Sequence, residues 1–163
     1  MSESFDISDS IVFTAGTVGE PGHRIFYLQA QADGAVVTLR CEKQQVGALA
    51  DYLEGLIADL PTPDPSRIPT LLGLVEPVVA EWTVGTLAVA WDDDADRMVL
   101  VAEELVAEDE INDDVARARF RLTREQVAAF VEHARDLVAG GRPPCPFCGG
   151  PVDPEGHPCP RMN

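Results

Sequence analysis

Two stretches of this chain carry the same pattern in the same register, and that repetition limits the folds open to it. Val37-Thr38-Leu39-Arg40-Cys41-Glu42-Lys43-Gln44-Gln45-Val46 leads into a segment whose apolar residues are Leu49, Ala50, Leu53, Leu56 and Ile57. Arg119-Phe120-Arg121-Leu122-Thr123-Arg124-Glu125-Gln126-Val127 leads into one carrying Phe130, Val131, Ala134, Leu137 and Val138. Placing Gln45-Val46 on Gln126-Val127 aligns all of those apolar positions without a gap, with Arg40 on Arg121 and Lys43 on Arg124. The i, i+3, i+4, i+7 spacing in both gives a helix with one buried stripe.

Start and stop signals bracket each helix. Thr123 with Gln126 forms a capping box, whereas Glu42 is a weaker cap that still places negative charge at the positive helix end. Gly140-Gly141 ends the second helix and the proline-rich run Pro61 to Pro65 ends the first. Ahead of the first helix, Ile11 to Thr17, Arg24 to Ala32 and Val36 to Cys41 alternate as strands around a Gly19-to-Gly22 turn and an Asp33-Gly34 hairpin. Ahead of the second, Trp82 to Trp91, Arg97 to Ala102 and Ala116 to Leu122 do the same. The expected fold is α+β: two related strand-strand-strand-helix halves forming an antiparallel sheet with helices on one face, plus a small C-terminal zinc knuckle. The expected divisions are a body over 1–141 and a tail over 142–163. Within the body, the halves are 1–60 and 82–141, joined by a proline-rich connection at 61–81. Inside that connection, Ile68 to Val79 is apolar and is expected to form a short buried helix with a packing role.

The tail concentrates the chain's ligand chemistry. Cys145-Pro146-Phe147-Cys148-Gly149 has the form of a metal knuckle: two thiolates three positions apart, then a glycine free to take positive φ. His157-Pro158-Cys159 completes a Cys3His set, the usual complement of a structural zinc ion. His157 is the expected fourth ligand, with Asp153 the alternative. A redox dithiol is the main rival, but such a motif opens a helix, and the surrounding prolines and glycines oppose one here. Four protein ligands leave no open position for substrate, which argues for a structural rather than a catalytic metal. Cys41, alone in an apolar stretch, reads as a buried structural thiol.

Charge narrows the partners. Twelve Lys and Arg against twenty-eight Asp and Glu give a formal net charge of -16, which repels phosphate backbones and disfavours nucleic acid. Solubility alone explains such a surface; docking a basic partner is the more interesting reading. The first residues have neither a basic nor an apolar region of signal-peptide type, and no apolar run reaches membrane-spanning length, so no membrane association is expected. With no disulfide framework, a cytoplasmic location is expected. The Asp92-to-Asp96 cluster lacks the glycine and closing glutamate of a calcium loop and reads as a hairpin tip. The acidic run Glu103 to Asp114 reads as a solvated loop, and His133 as an exposed or half-buried helix residue. Arg24, Arg40, Lys43 and Arg121 are the candidate anion contacts, Arg40 and Arg121 being matched between the halves. For the His23-Arg24 loop, a solvated turn is the plainer reading.

The chain resembles an uncharacterised actinobacterial family, a domain of unknown function sometimes labelled a repeat protein. The resemblance lies in Gly16-Thr17-Val18-Gly19-Glu20-Pro21-Gly22 with Arg24 and Phe26-Tyr27-Leu28-Gln29, and in Glu42-Lys43-Gln44-Gln45-Val46. Its most specific block is Cys145-Pro146-Phe147-Cys148 with Asp153-Pro154, Gly156-His157 and Cys159-Pro160-Arg161-Met162-Asn163. The resemblance implies no catalytic residue. It implies a genomic setting beside kinase-like and histidine-phosphatase-like proteins, and hence a shared pathway or complex.

No serine elbow, phosphate-binding glycine loop or HExxH motif occurs in the sequence. The reading that follows is a non-enzymatic zinc-binding adaptor for a protein partner. The alternative is an enzyme or ligand-binding protein acting on an anionic small molecule.

Overall fold

Apolar alternation becomes strands on either side of each tight turn in the computed structural model, which describes residues 2–20, 22–110, 114–140, 145–150, 152 and 156–161. A short strand β1 (Phe5–Ile7) precedes the first meander, β2 (Val12–Val18), β3 (Ile25–Ala32) and β4 (Ala35–Cys41), which runs into helix α1 (Lys43–Ala58). The second meander, β5 (Val84–Asp92), β6 (Arg97–Glu104) and β7 (Arg117–Leu122), runs into α2 (Arg124–Ala139). The expected α+β plan of two strand-strand-strand-helix halves is present.

The strands divide between two sheets, ordered β2-β3-β4 and β1-β7-β6-β5. Within each meander the pairing is antiparallel, while β1 lies parallel to β7. The sheets meet at a corner where Glu81 N–H donates to Thr38 O (2.8 Å) and Arg40 N–H to Trp82 O (3.0 Å). Three residues are too few for alternation to reveal β1 in the sequence.

Both inner faces and both helices share one core. At its centre Phe13 of β2 stands 5.3 Å from Phe120 of β7 and 5.1 Å from Phe130 of α2, ring centre to ring centre. Such spacing favours tilted aromatic packing beyond simple burial. The helices cross over: α2 packs on β2 of the first half, and α1 reaches β5 of the second. Cys41 is buried in this core, and desolvation, aided by the Glu42 carboxylate, pushes its thiol up to about 12, as suits a structural cysteine.

The segment 68–79 corrects the expected buried helix. It forms no helix, and Leu71, Val75 and Val79 are exposed. Gly73 and Pro77 weaken a helix there, and the backbone bonds to sheet side chains instead of to itself. It crosses the outer face of the first sheet, where Thr14, Gln29 and Thr38 form a buried polar row in register across the three strands. Thr14 Oγ1 donates to Leu72 O (2.6 Å), and Gln31 Nε2 to Gly73 O (3.3 Å). The Gln29 carboxamide takes Val75 N–H (2.8 Å) and donates to Val75 O (3.1 Å), so one side chain satisfies both backbone groups of that residue. Gly16 leaves room for Leu74, whose side chain occupies the space a Cβ at residue 16 would need. Among the described residues, no helix is long and apolar enough to cross a membrane.

Candidate metal centre

Cys145 to Cys148 turns tightly, closed by Gly149 N–H to Cys145 O (2.9 Å) and Cys145 N–H to Gly150 O (2.7 Å). Gly149 takes φ of 74°, the left-handed conformation its position in the knuckle requires. That turn aims the amides of Cys148 and Phe147 at the Cys145 sulfur, and these hydrogen bonds, Cys148 first, hold its thiol below the usual range. Gly156, at φ of 98°, precedes His157-Pro158-Cys159, which returns to the same point.

Cys145, Cys148, His157 and Cys159 bring one ligand atom each within 4.8 Å of all the others. Cys145 Sγ and Cys159 Sγ are 3.8 Å apart, and Cys148 Sγ is 3.9 Å from His157 Nε2. Zn–S bonds of about 2.3 Å in a tetrahedron separate two sulfurs by about 3.8 Å, so the spacing is compatible with zinc. Cys159 accepts the Arg161 amide, which lowers its pKa, but desolvation and the neighbouring Cys148 and Cys145 sulfurs raise it overall. Sulfur donors this close together suit a divalent metal placed among them. Asp153, the alternative fourth ligand, lies outside the described residues.

The geometry does not favour the redox rival. The CxxC segment sits in turns, with no helix starting at Cys145 among the described residues. A metal held by all four donors would order the chain around it and would leave no place for substrate at the metal.

The four candidate anion contacts do not all converge: Arg24 and Lys43 come together, while Arg40 and Arg121 do not join them. Arg24 and Lys43 line one cavity of about 190 Å³ with Gly22, Phe26 and Glu42. Arg24 is already engaged: it donates to Leu137 O (3.1 Å) in the last turn of α2 and lies 4.8 Å over the Phe26 ring. Arg40 is exposed on β4, at the corner between the sheets. Arg121 is on β7, 3.7 Å from the Asp6 carboxylate. His23 is exposed, and half-buried His133 contacts Ala15 O through Nε2 at 2.9 Å. The sequence reading missed that Arg121 belongs to a row with Arg117 and Arg119, although their alternation with Ala118, Phe120 and Leu122 was there to be read.

Against known proteins, no curated protein and no solved structure matches the chain. A family described as protein of unknown function (DUF3090) matches residues 4–159. That match takes in both halves of the body and all four candidate ligands of the tail, and the chain belongs to this family.

Proposed function

We propose that this protein is a non-enzymatic binding module for a protein partner, with a C-terminal segment held in shape by one structural zinc ion. The observation that carries this is the closed set of three sulfurs and one imidazole nitrogen in a stretch too short to build a core. An ion so enclosed spends its coordination on chain order, and an ordered terminal knuckle is a rigid surface to present. The body supports the same reading: Gln45 and Gln126, each at the third position of its helix, accept the N–H of their own cap residue and donate to backbone carbonyls of the other half, which fits an internal repeat, a scaffold of two like units. Free thiols at all four cysteines fit a reducing compartment such as the cytoplasm.

The test is elemental analysis of native protein together with affinity capture from the source organism. The expected result is about one zinc per chain and a specific protein retained only when the tail is metal-loaded. Metal-free protein with its tail thiols alkylated as fast as in a denatured control overturns the zinc assignment. Turnover of a small molecule without a protein partner overturns the binding role.

A further inference from the structure

The outer faces of the two sheets correspond position by position, and among the described residues only the first is covered. The register that pairs Thr14, Gln29 and Thr38 in the first sheet pairs Ala88, Val101 and Arg119 in the second. In the first sheet that row holds residues 72–75 through side-chain hydrogen bonds to their backbone. In the second sheet Ala88, Ala90 and Arg119 are exposed, and Val99 and Val101 are half-buried. Along β7, Arg117, Arg119 and Arg121 project from this face at alternate positions. They are three of only twelve basic residues in a chain of net charge -16.

We propose that this face is a docking bed for an extended, acidic segment of a partner protein. Arg119 has no carboxylate within ion-pairing distance among the described residues. Arg117 and Arg121 hold only exposed ones, Glu103 at 3.3 Å and Asp6 at 3.7 Å. Exposed pairs of this kind contribute about 0–1 kcal/mol, so a partner's carboxylates can exchange for them. Alternate residues on a strand lie about 6.6–6.8 Å apart, the spacing at which an extended peptide presents its own alternate side chains. Arg117 and Arg119 also border a shallow, open depression of about 320 Å³ with Ser4, Phe5, Asp6 and Val101.

Peptide is favoured over nucleic acid on two grounds. The strip of Ala88, Ala90, Val99 and Val101 lets a main chain approach closely but offers nothing to a phosphate. The overall charge opposes a polyphosphate far more than a short peptide with a few carboxylates. The inference rests on the binding-module reading but not on the tail.

The experiment is fluorescence anisotropy of the full chain with a labelled ten-residue peptide alternating Glu and Val, at low ionic strength. Saturable binding is expected, weakened at least tenfold by Arg119→Glu and also by Ala88→Glu, which leaves every arginine in place. Thermal melting of both variants serves as the control for folding. Absence of saturation, or full binding by a folded Arg119→Glu variant, overturns the proposal. So does equal affinity for a Lys–Val peptide or a single-stranded oligonucleotide. Repeating the titration with a zinc chelator separates the sites: retained binding supports a site on the body, and binding lost with the metal overturns it. Failure here leaves the zinc-held tail standing, because that reading is decided by metal content and partner capture.

Discussion

Gln45 and Gln126 each stand at the third position of a helix and use their carboxamides in the same way. Gln45 Oε1 accepts the Glu42 N–H (2.8 Å), while its Nε2 donates to Val84 O (3.2 Å) and Gly85 O (3.3 Å) at the start of β5. Gln126 Oε1 accepts the Thr123 N–H (2.9 Å), and its Nε2 donates to Ser10 O and Ile11 O, just ahead of β2. Each glutamine thus caps its own helix and ties it to the backbone where the opposite meander begins. A carboxamide is required, since the task needs an acceptor and two donors on one planar group.

Gln126→Glu tests that requirement. The carboxylate keeps the Thr123 amide but loses both donors and faces two carbonyl oxygens. Because Gln126 is buried, the expected loss is about 2–3 kcal/mol at neutral pH, read from urea unfolding. Gln45 is half-buried, so Gln45→Glu is expected to lose only about 1 kcal/mol. Equal losses at the two sites would contradict the account.

The covering segment across the first sheet gives a second test. Gln29→Leu keeps the volume but removes both bonds to Val75 and the bond to Thr38. Leaving these groups unpaired is expected to cost about 2–3 kcal/mol. The local effect should be larger: protease cleavage within 68–79 and exchange of the Val75 amide should both speed up. If the segment stays as protected as in the wild-type chain, the carboxamide is not what holds it.

What the sequence could reveal follows from periodicity. Six strands and both helices repeat at spacings of two or about 3.6, and their bounds fall within two residues of the expected ones. The convergence of the four tail donors was legible because residues able to bind a metal are a short list and cysteines three apart are a common pairing for one. Residues 68–79 were misread because apolar content at Leu71, Leu72 and Leu74 suits a buried helix as well as a strap. What decides between them is the buried polar row of Thr14, Gln29 and Thr38, far away in sequence. The division into two sheets was hidden for the same reason, since the corner is made by backbone bonds of residues 81–82 that leave no pattern.

Cys41 gives the pH prediction. Its folded pKa is raised from 9.0 to about 12, so the fold favours the neutral thiol. The stability this contributes is fully present below 9.0 and is lost as pH rises from 9.0 towards 12. Other groups titrate there as well, so the measurement is the difference between wild type and Cys41→Ala. The gap in urea midpoint should shrink from pH 8 to pH 11, and iodoacetamide should reach Cys41 only after unfolding. A constant gap would mean that burial does not set this thiol's acidity.

Removing the metal tests the tail, and two substitutions separate its possible ligand sets. Thiolates and imidazole bind zinc only when deprotonated, so acidification should release the ion, and a competing chelator dye can follow its loss. Cys148→Ser should remove tight binding, because a neutral hydroxyl replaces a thiolate at one corner of the tetrahedron. If His157 is the fourth ligand, His157→Asn should weaken zinc by at least about tenfold while Asp153→Asn leaves it unchanged. The reverse order would move the fourth corner to Asp153. In both metal-poor variants the body should melt at the wild-type temperature, since its core is built from residues 13–134 and uses none of the ligands. Only the stretch from Cys145 to Arg161 should become open to protease. A body that destabilised along with the tail would show the ion supporting more of the fold than the knuckle it closes.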